Sequence, residues 1–305
     1  MKNVKFENIK ALTFASIMTA ISIVLILVTY FLGDIGLFLI FILPLCSSLV
    51  SVNINTKYSL IYIISTFLIC SIDFQLAIFI IIPCLISGFI FGKLILIKMD
   101  GYYIIFINSL FLLGMQIIST YLINFIYQID LVLSIANLIK INYLTFNSSY
   151  FLFLFLLSLI QSSFNYLIIT NELKKFKFCF QEKKNHFIFN FITLIILIIS
   201  CLLTINQSTS LSYLILGFSS YFAIFLEYYN FSYYYKKSFL IIHFVLYFTS
   251  FIVFLSLLSS TNKIYYPYLF LIPITSELIV SLYIIIFQKI IKKNKINSST
   301  FDKLK

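Results

Sequence analysis

Long apolar runs alternate with short polar breaks along the whole chain. Charges and turn residues divide it into ten apolar segments, at about 11–32, 35–52, 58–72, 75–97, 102–127, 150–170, 187–204, 211–229, 239–258 and 267–289. Most are near the ~20 residues that carry a helix across a bilayer core. The runs are continuous and lack the dyad alternation of an outer-membrane barrel. The pattern therefore predicts an all-α fold, a polytopic transmembrane helical bundle of about ten spans. Segment 58–72 is short, at about 22 Å of helix. If 35–72 is a re-entrant hairpin, eight spans remain.

One polar break carries its own periodicity. In residues 130–141, Leu131, Ile135, Leu138 and Ile139 share one helical face, with Ser134, Asn137 and Lys140 elsewhere. This predicts a short interfacial helix.

Composition narrows the class. The 305 residues are 62% hydrophobic and 10% charged, against about 25% charged in soluble domains. Such a chain excludes a soluble enzyme, a secreted disulfide scaffold, a disordered polymer and a nucleic-acid module. Arg and Trp are absent, while Lys, Ile, Asn, Phe and Tyr abound. All have A/T-rich codons, which points to an AT-rich bacterial genome. The expected localisation is the bacterial cell membrane.

The net charge of +11 matters through its placement. With the N-terminus cytoplasmic, ten spans put all but Lys140 and Lys263 of the 21 lysines on the inner side. Asp34, Asp73 and Asp130 then fall at outer turns. This is the positive-inside bias of a consistent topology, with both termini cytoplasmic. The expected organisation is a six-span part at 1–170, a basic cytoplasmic loop at 171–186, a four-span part at 187–290 and a basic tail at 291–305.

Candidate chemistry is sparse. No zinc-protease, nucleophile-elbow or phosphate-loop pattern occurs. The expectation is that the chain is not an enzyme. The five cysteines, Cys46, Cys70, Cys84, Cys179 and Cys201, form no ligand-spaced pair. No disulfide, metal or cofactor is expected.

The polar residues inside the spans say more. Ser158, Gln161, Ser162 and Asn165 recur at i, i+3, i+4 and i+7, on one helical face. Gln116, Thr120 and Asn124 form a second stripe, with Asn108 and Ser109 further toward the inner end. Two readings fit: a binding site for a small polar solute, or interhelical hydrogen-bond glue at about 0.6 kcal/mol per contact. Glu277 stands mid-span beside Thr275 and Ser276. It reads either as a proton- or substrate-handling group or as a neutral, hydrogen-bonded buried acid.

Small residues mark close helix contacts. Gly88 and Gly92 form a Gly-x-x-x-Gly pair. Ala11, Ala15 and Thr19 form a stripe fit to dock another helix, inside this chain or on a partner. Pro44, Pro83 and Pro273 predict kinks or irregular turns.

The front part resembles the S components of energy-coupling-factor (ECF) transporters. The resemblance rests on NIKALTFASIMTAISIVL in the first span, LPLCSSLVSVNINTKYSLIYIIS across the second and third, and FIIIPCLISGFIFGKLI in the fourth. The full length is similar to the YybS-like family of bacterial membrane proteins, which add C-terminal spans to a comparable front part. The resemblance implies a solute-binding membrane subunit without an ATPase of its own. It also implies docking through first-span small residues, here Ala11, Ala15 and Thr19, onto a membrane subunit that couples to two ATPases. The competing expectations are a non-transporting membrane scaffold or assembly protein, whose basic loop and tail meet a partner or anionic lipid, and a proton-coupled transporter using Glu277.

Overall fold

The computed structural model describes residues 8–32, 42–175, 187–204, 207–233, 245, 248–250, 252–253, 256–257 and 269–283. Residues 35–41, most of 239–258, most of the basic loop 171–186 and the tail 291–305 lie outside the described residues, as does Cys179.

Every described element is helical. In chain order they are α1 (Asn8–Leu32), α2 (Leu43–Asn53), α3 (Thr56–Cys70), α4 (Phe74–Leu96), α5 (Gly101–Tyr127), α6 (Leu131–Ile139), α7 (Tyr143–Lys175), α8 (Phe187–Thr204), α9 (Thr209–Tyr233) and α10 (Leu269–Tyr283). Within these, six stretches are long and apolar enough to cross a membrane: Asn8–Val28, Phe74–Leu96, Gly101–Tyr127, Tyr143–Lys175, Phe187–Thr204 and Thr209–Leu226. This apolar helical bundle is compatible with an integral membrane protein. The helices α2, α3 and α10 are shorter. At 1.5 Å per residue, α2 and α3 measure about 16 and 22 Å, each less than a ~30 Å hydrocarbon core.

Turn chemistry explains where the helices start and stop. The carboxylate of Asp73 accepts the Leu76 N–H at 3.1 Å, and that of Asp130 accepts the Leu133 N–H at 3.0 Å. The Asn142 carbonyl accepts the Leu144 N–H at 3.0 Å. Each satisfies a backbone donor that a helix start leaves unpaired. Lys98, Gln128 and Lys140 follow α4, α5 and α6 with φ of 60°, 53° and 59°. This left-handed conformation terminates helices, although glycine is its usual occupant.

The prolines act differently from one another. Pro44 falls in the first turn of α2. There its missing N–H costs nothing, so it opens the helix rather than kinking it. Pro83 follows a π-helical stretch, Ala77–Ile81, inside α4. Proline removes the bond back to the carbonyl four residues earlier, and the widened turn accommodates that loss.

The chain divides into two compact units. The first comprises Met1–Ile135 with Phe153–Lys184. Its core has two adjoining parts. One joins α1 to α4 through Ala11, Ala15, Leu43, Cys46, Val50, Tyr62 and Leu85. The other joins α2, α4, α5 and α7 through Val52, Phe91, Ile95, Ile104, Ile169 and Leu173. In the second unit, α8 packs along α9. Asn190, Leu194, Ile198 and Cys201 are the buried side of α8, at helical spacing. The Cys201 thiol donates to the Ser212 carbonyl at 3.5 Å. In both units the outward faces stay apolar: Leu68, Phe125, Phe164 and Leu203 are exposed. A helix apolar outside as well as inside belongs in lipid.

Candidate functional site

The two polar stripes meet. Ser158 on α7 donates to the Gln116 side-chain carbonyl on α5 at 3.1 Å. One turn further along α7, Ser162 donates to the Ile105 carbonyl at 2.8 Å and receives the Asn108 amide at 3.3 Å. Ser158, Ser162, Asn108 and Asn165 are all fully buried. The hydrophobic effect does not drive helices together in lipid, so such polar contacts and close packing hold the seam.

The other stripe residues divide by role. Thr120 is buried and returns its hydroxyl to the Gln116 backbone carbonyl at 2.9 Å. Asn124 accepts the Leu131 N–H at 3.2 Å, so it fastens the end of α5 to the start of α6. Gln161 is half-buried. Asn165 differs from all of these. Both its amide nitrogen and its carbonyl oxygen are buried without a hydrogen-bond partner among the described residues. Leaving such a group unsatisfied costs about 1–3 kcal/mol.

The seam closes tightly at its far end. A Cβ on Gly101, which opens α5, would overlap the Tyr166 hydroxyl. The Tyr166 ring sits 6.4 Å from that of Phe91 on α4. Tyr166 thus holds α4, α5 and α7 together one residue beyond Asn165.

Gly88 and Gly92 bring α4 against α2. A Cβ at Gly88 would overlap the Pro44 backbone, and one at Gly92 would overlap the Ser51 hydroxyl and press on the Ser48 carbonyl. The close approach lets the Ser47 hydroxyl donate to the Leu85 carbonyl at 2.5 Å. Lys93 donates to the Ser51 carbonyl at 3.0 Å, close to the C-terminal end of α2. A cation there favours the negative end of the helix dipole.

Ala11, Ala15 and Thr19 are buried in the core that α1 shares with α2 and α3. Thr19 is 3.2 Å from the Ser65 hydroxyl, and Ser22 is 2.7 Å from the Tyr62 hydroxyl. The small stripe thus faces the chain's own helices. The exposed face of α1 carries Ile9, Leu12, Ile17 and Val24 instead.

In the second unit Glu277 is buried, at 3% exposure, beside Ser276 and Ser281 on α10. The Ser250 hydroxyl donates to that of Ser276 at 3.4 Å. Among the described residues no group of three metal-ligating side chains occurs.

No family model, curated protein or solved structure matches the chain. The stripe residues were visible as periodic polar positions in the sequence. Two further groups were not. Ser87 is fully buried on α4 with its hydroxyl unpartnered among the described residues. The pairing of Ser22 with Tyr62 joins positions 40 apart. A lone serine or tyrosine in an apolar run carries no local signal. In Ser87 the only hint is its i, i+4, i+8 relation to Phe91 and Ile95.

Proposed function

We propose that the protein is a solute-binding membrane subunit that takes up a small polar metabolite and is energised by a separate ATPase module. The observation that carries this reading is Asn165. It presents an uncompensated donor and acceptor inside a helix seam in which the neighbouring Ser158 and Ser162 hydroxyls are paired. A scaffold seam needs only satisfied contacts, and a buried amide without partners costs stability that ligand contacts recover. The resemblance of residues 8–95 to S components supports the same reading.

Gentle extraction of the tagged full chain from native membranes, followed by mass spectrometry of proteins and small molecules, tests the proposal. Recovery of an ATPase pair together with a retained polar metabolite is the expected result. Recovery of cell-envelope assembly proteins without ATPases or metabolite would instead establish the scaffold role.

A further inference from the structure

Three helices carry orphaned polar atoms at one level of the first unit. The anchor is the apolar cluster containing Phe91 and Ile95 of α4, Ile104 of α5, and Ile169 and Leu173 of α7. Ser87 lies four residues before Phe91, Asn108 four residues after Ile104, and Asn165 four residues before Ile169. Four residues return a side chain to nearly the same helical face, about 6 Å along the axis. The helices alternate in direction, so all three steps lead the same way from the cluster. The Asn108–Ser162 hydrogen bond confirms that direction for α5 and α7. Ser87, Asn108 and Asn165 are each fully buried. The Ser87 hydroxyl, the Asn108 carbonyl oxygen and both polar atoms of Asn165 lack a hydrogen-bond partner among the described residues.

Orphans of this kind are few in folded proteins, and each asks for an explanation. Together they supply both kinds of hydrogen-bonding group. The Asn165 amide and the Ser87 hydroxyl donate, while the Asn108 and Asn165 carbonyls accept. No acidic or basic residue occurs within four positions of any of the three. The three side chains are themselves uncharged, so they offer a bound ion no countercharge of their own in a low-dielectric setting.

From this the geometry points to a binding site for an uncharged molecule with adjacent donor and acceptor, a carboxamide or lactam edge, held by Ser87, Asn108 and Asn165. The site deepens the proposed function and rests on the reading that the α5–α7 seam receives a solute. A primary or cyclic amide pairs with the Asn165 side chain through two parallel hydrogen bonds. The Asn108 carbonyl and the Ser87 hydroxyl, on the other two helices, then complete the set. The isosteric carboxylate offers no donor and is rejected by both carbonyls.

The probe is trifluoroacetamide, observed by fluorine NMR with the detergent-solubilised full chain. Saturable broadening is expected, displaced by acetamide and not by acetate. Asn165→Leu and Asn108→Leu are expected to weaken binding at least tenfold, the cost of one or more lost buried hydrogen bonds. Ser87→Ala keeps the packing nearly intact and is expected to weaken it by a smaller factor. Asn165→Leu is also expected to melt no lower than wild type, since it replaces an unsatisfied amide with an apolar group of similar size. Broadening that is non-saturable, equally displaced by acetate, or unchanged in Asn165→Leu and Ser87→Ala overturns the site. The same samples separate this site from the transport reading. Co-purifying ATPases and metabolite without amide binding would overturn the site alone. Amide binding without ATPases or metabolite would uphold the site and overturn the transport reading.

Discussion

At Gly88 a single methyl group would run into the backbone of Pro44, which has no flexible side chain to move aside. Gly88→Ala is expected to lower stability by about 1–3 kcal/mol through overpacking, read as an earlier melting transition in detergent. Gly114 has open space where a Cβ would project. Gly114→Ala on α5 is the matched control, expected to melt at or above wild type because alanine favours the helix. The Ser22–Tyr62 pair is a different kind of residue-scale tie. Its 2.7 Å contact lies between two fully buried hydroxyls. Tyr62→Phe keeps the ring and removes the hydroxyl contact, so a loss of about 1 kcal/mol is expected. An unchanged melting temperature would show that the contact of Ser22 with Cys46 suffices. The glycine pair was legible as a spacing, but its partner α2 was not, and the serine–tyrosine tie had no pattern at all.

Among the elements, α5 and α7 form the seam where the polar stripes were predicted to matter. Ser158 and Gln116 pair directly, and Ser162 reaches Ile105 and Asn108. For the Ser158–Gln116 pair the glue reading describes the contact, while Asn165 remains unmatched in the same stripe. A double-mutant cycle with Ser158→Ala and Gln116→Leu should give a coupling energy of about 0.6 kcal/mol, the average for such contacts in a membrane bundle. A coupling near zero in unfolding measurements would remove Gln116 from the seam's support. Helix positions followed the apolar runs closely. The predicted 187–204 and 102–127 segments are the observed α8 and α5, Phe187–Thr204 and Gly101–Tyr127. The short helix predicted within 130–141 is α6, Leu131–Ile139, but its buried residues are Val132 and Ala136, while Leu138 and Ile139 of the predicted apolar face are exposed. The 150–170 segment grew to Tyr143–Lys175 because Asn142 caps its start earlier and the helix continues through Lys174 and Lys175. Polar residues at helix ends hide true length from a hydropathy reading.

For the whole molecule, the lysine distribution makes a topological prediction. Helix α7 has 33 residues, about 50 Å long, which exceeds the bilayer core. Lys140 just before it and Lys175 at its end are both exposed. The described native cysteines Cys46, Cys70, Cys84 and Cys201 are buried. With Cys179→Ser in the background, Lys140→Cys should react with a membrane-impermeant maleimide on intact cells. Lys175→Cys should react only after permeabilisation. Reaction of both from one side would overturn the positive-inside assignment of this helix.

The sequence by itself determined the solvent. A chain this apolar is most stable with its helices in lipid, because each helix satisfies its own backbone while burying an all-apolar surface. It also determined the helix periods and, through them, which polar residues share a face. The tertiary structure decided which faces meet. Ala11, Ala15 and Thr19 turn inward because the chain's own α2 and α3 offer a close-packed surface there. Ser87, Asn108 and Asn165 come to one level because α4, α5 and α7 converge on Phe91, Ile104 and Ile169. Hydropathy encodes a helix's burial but not its neighbour. In lipid, the pairing is set by shape and by a few hydrogen bonds between residues far apart in the chain.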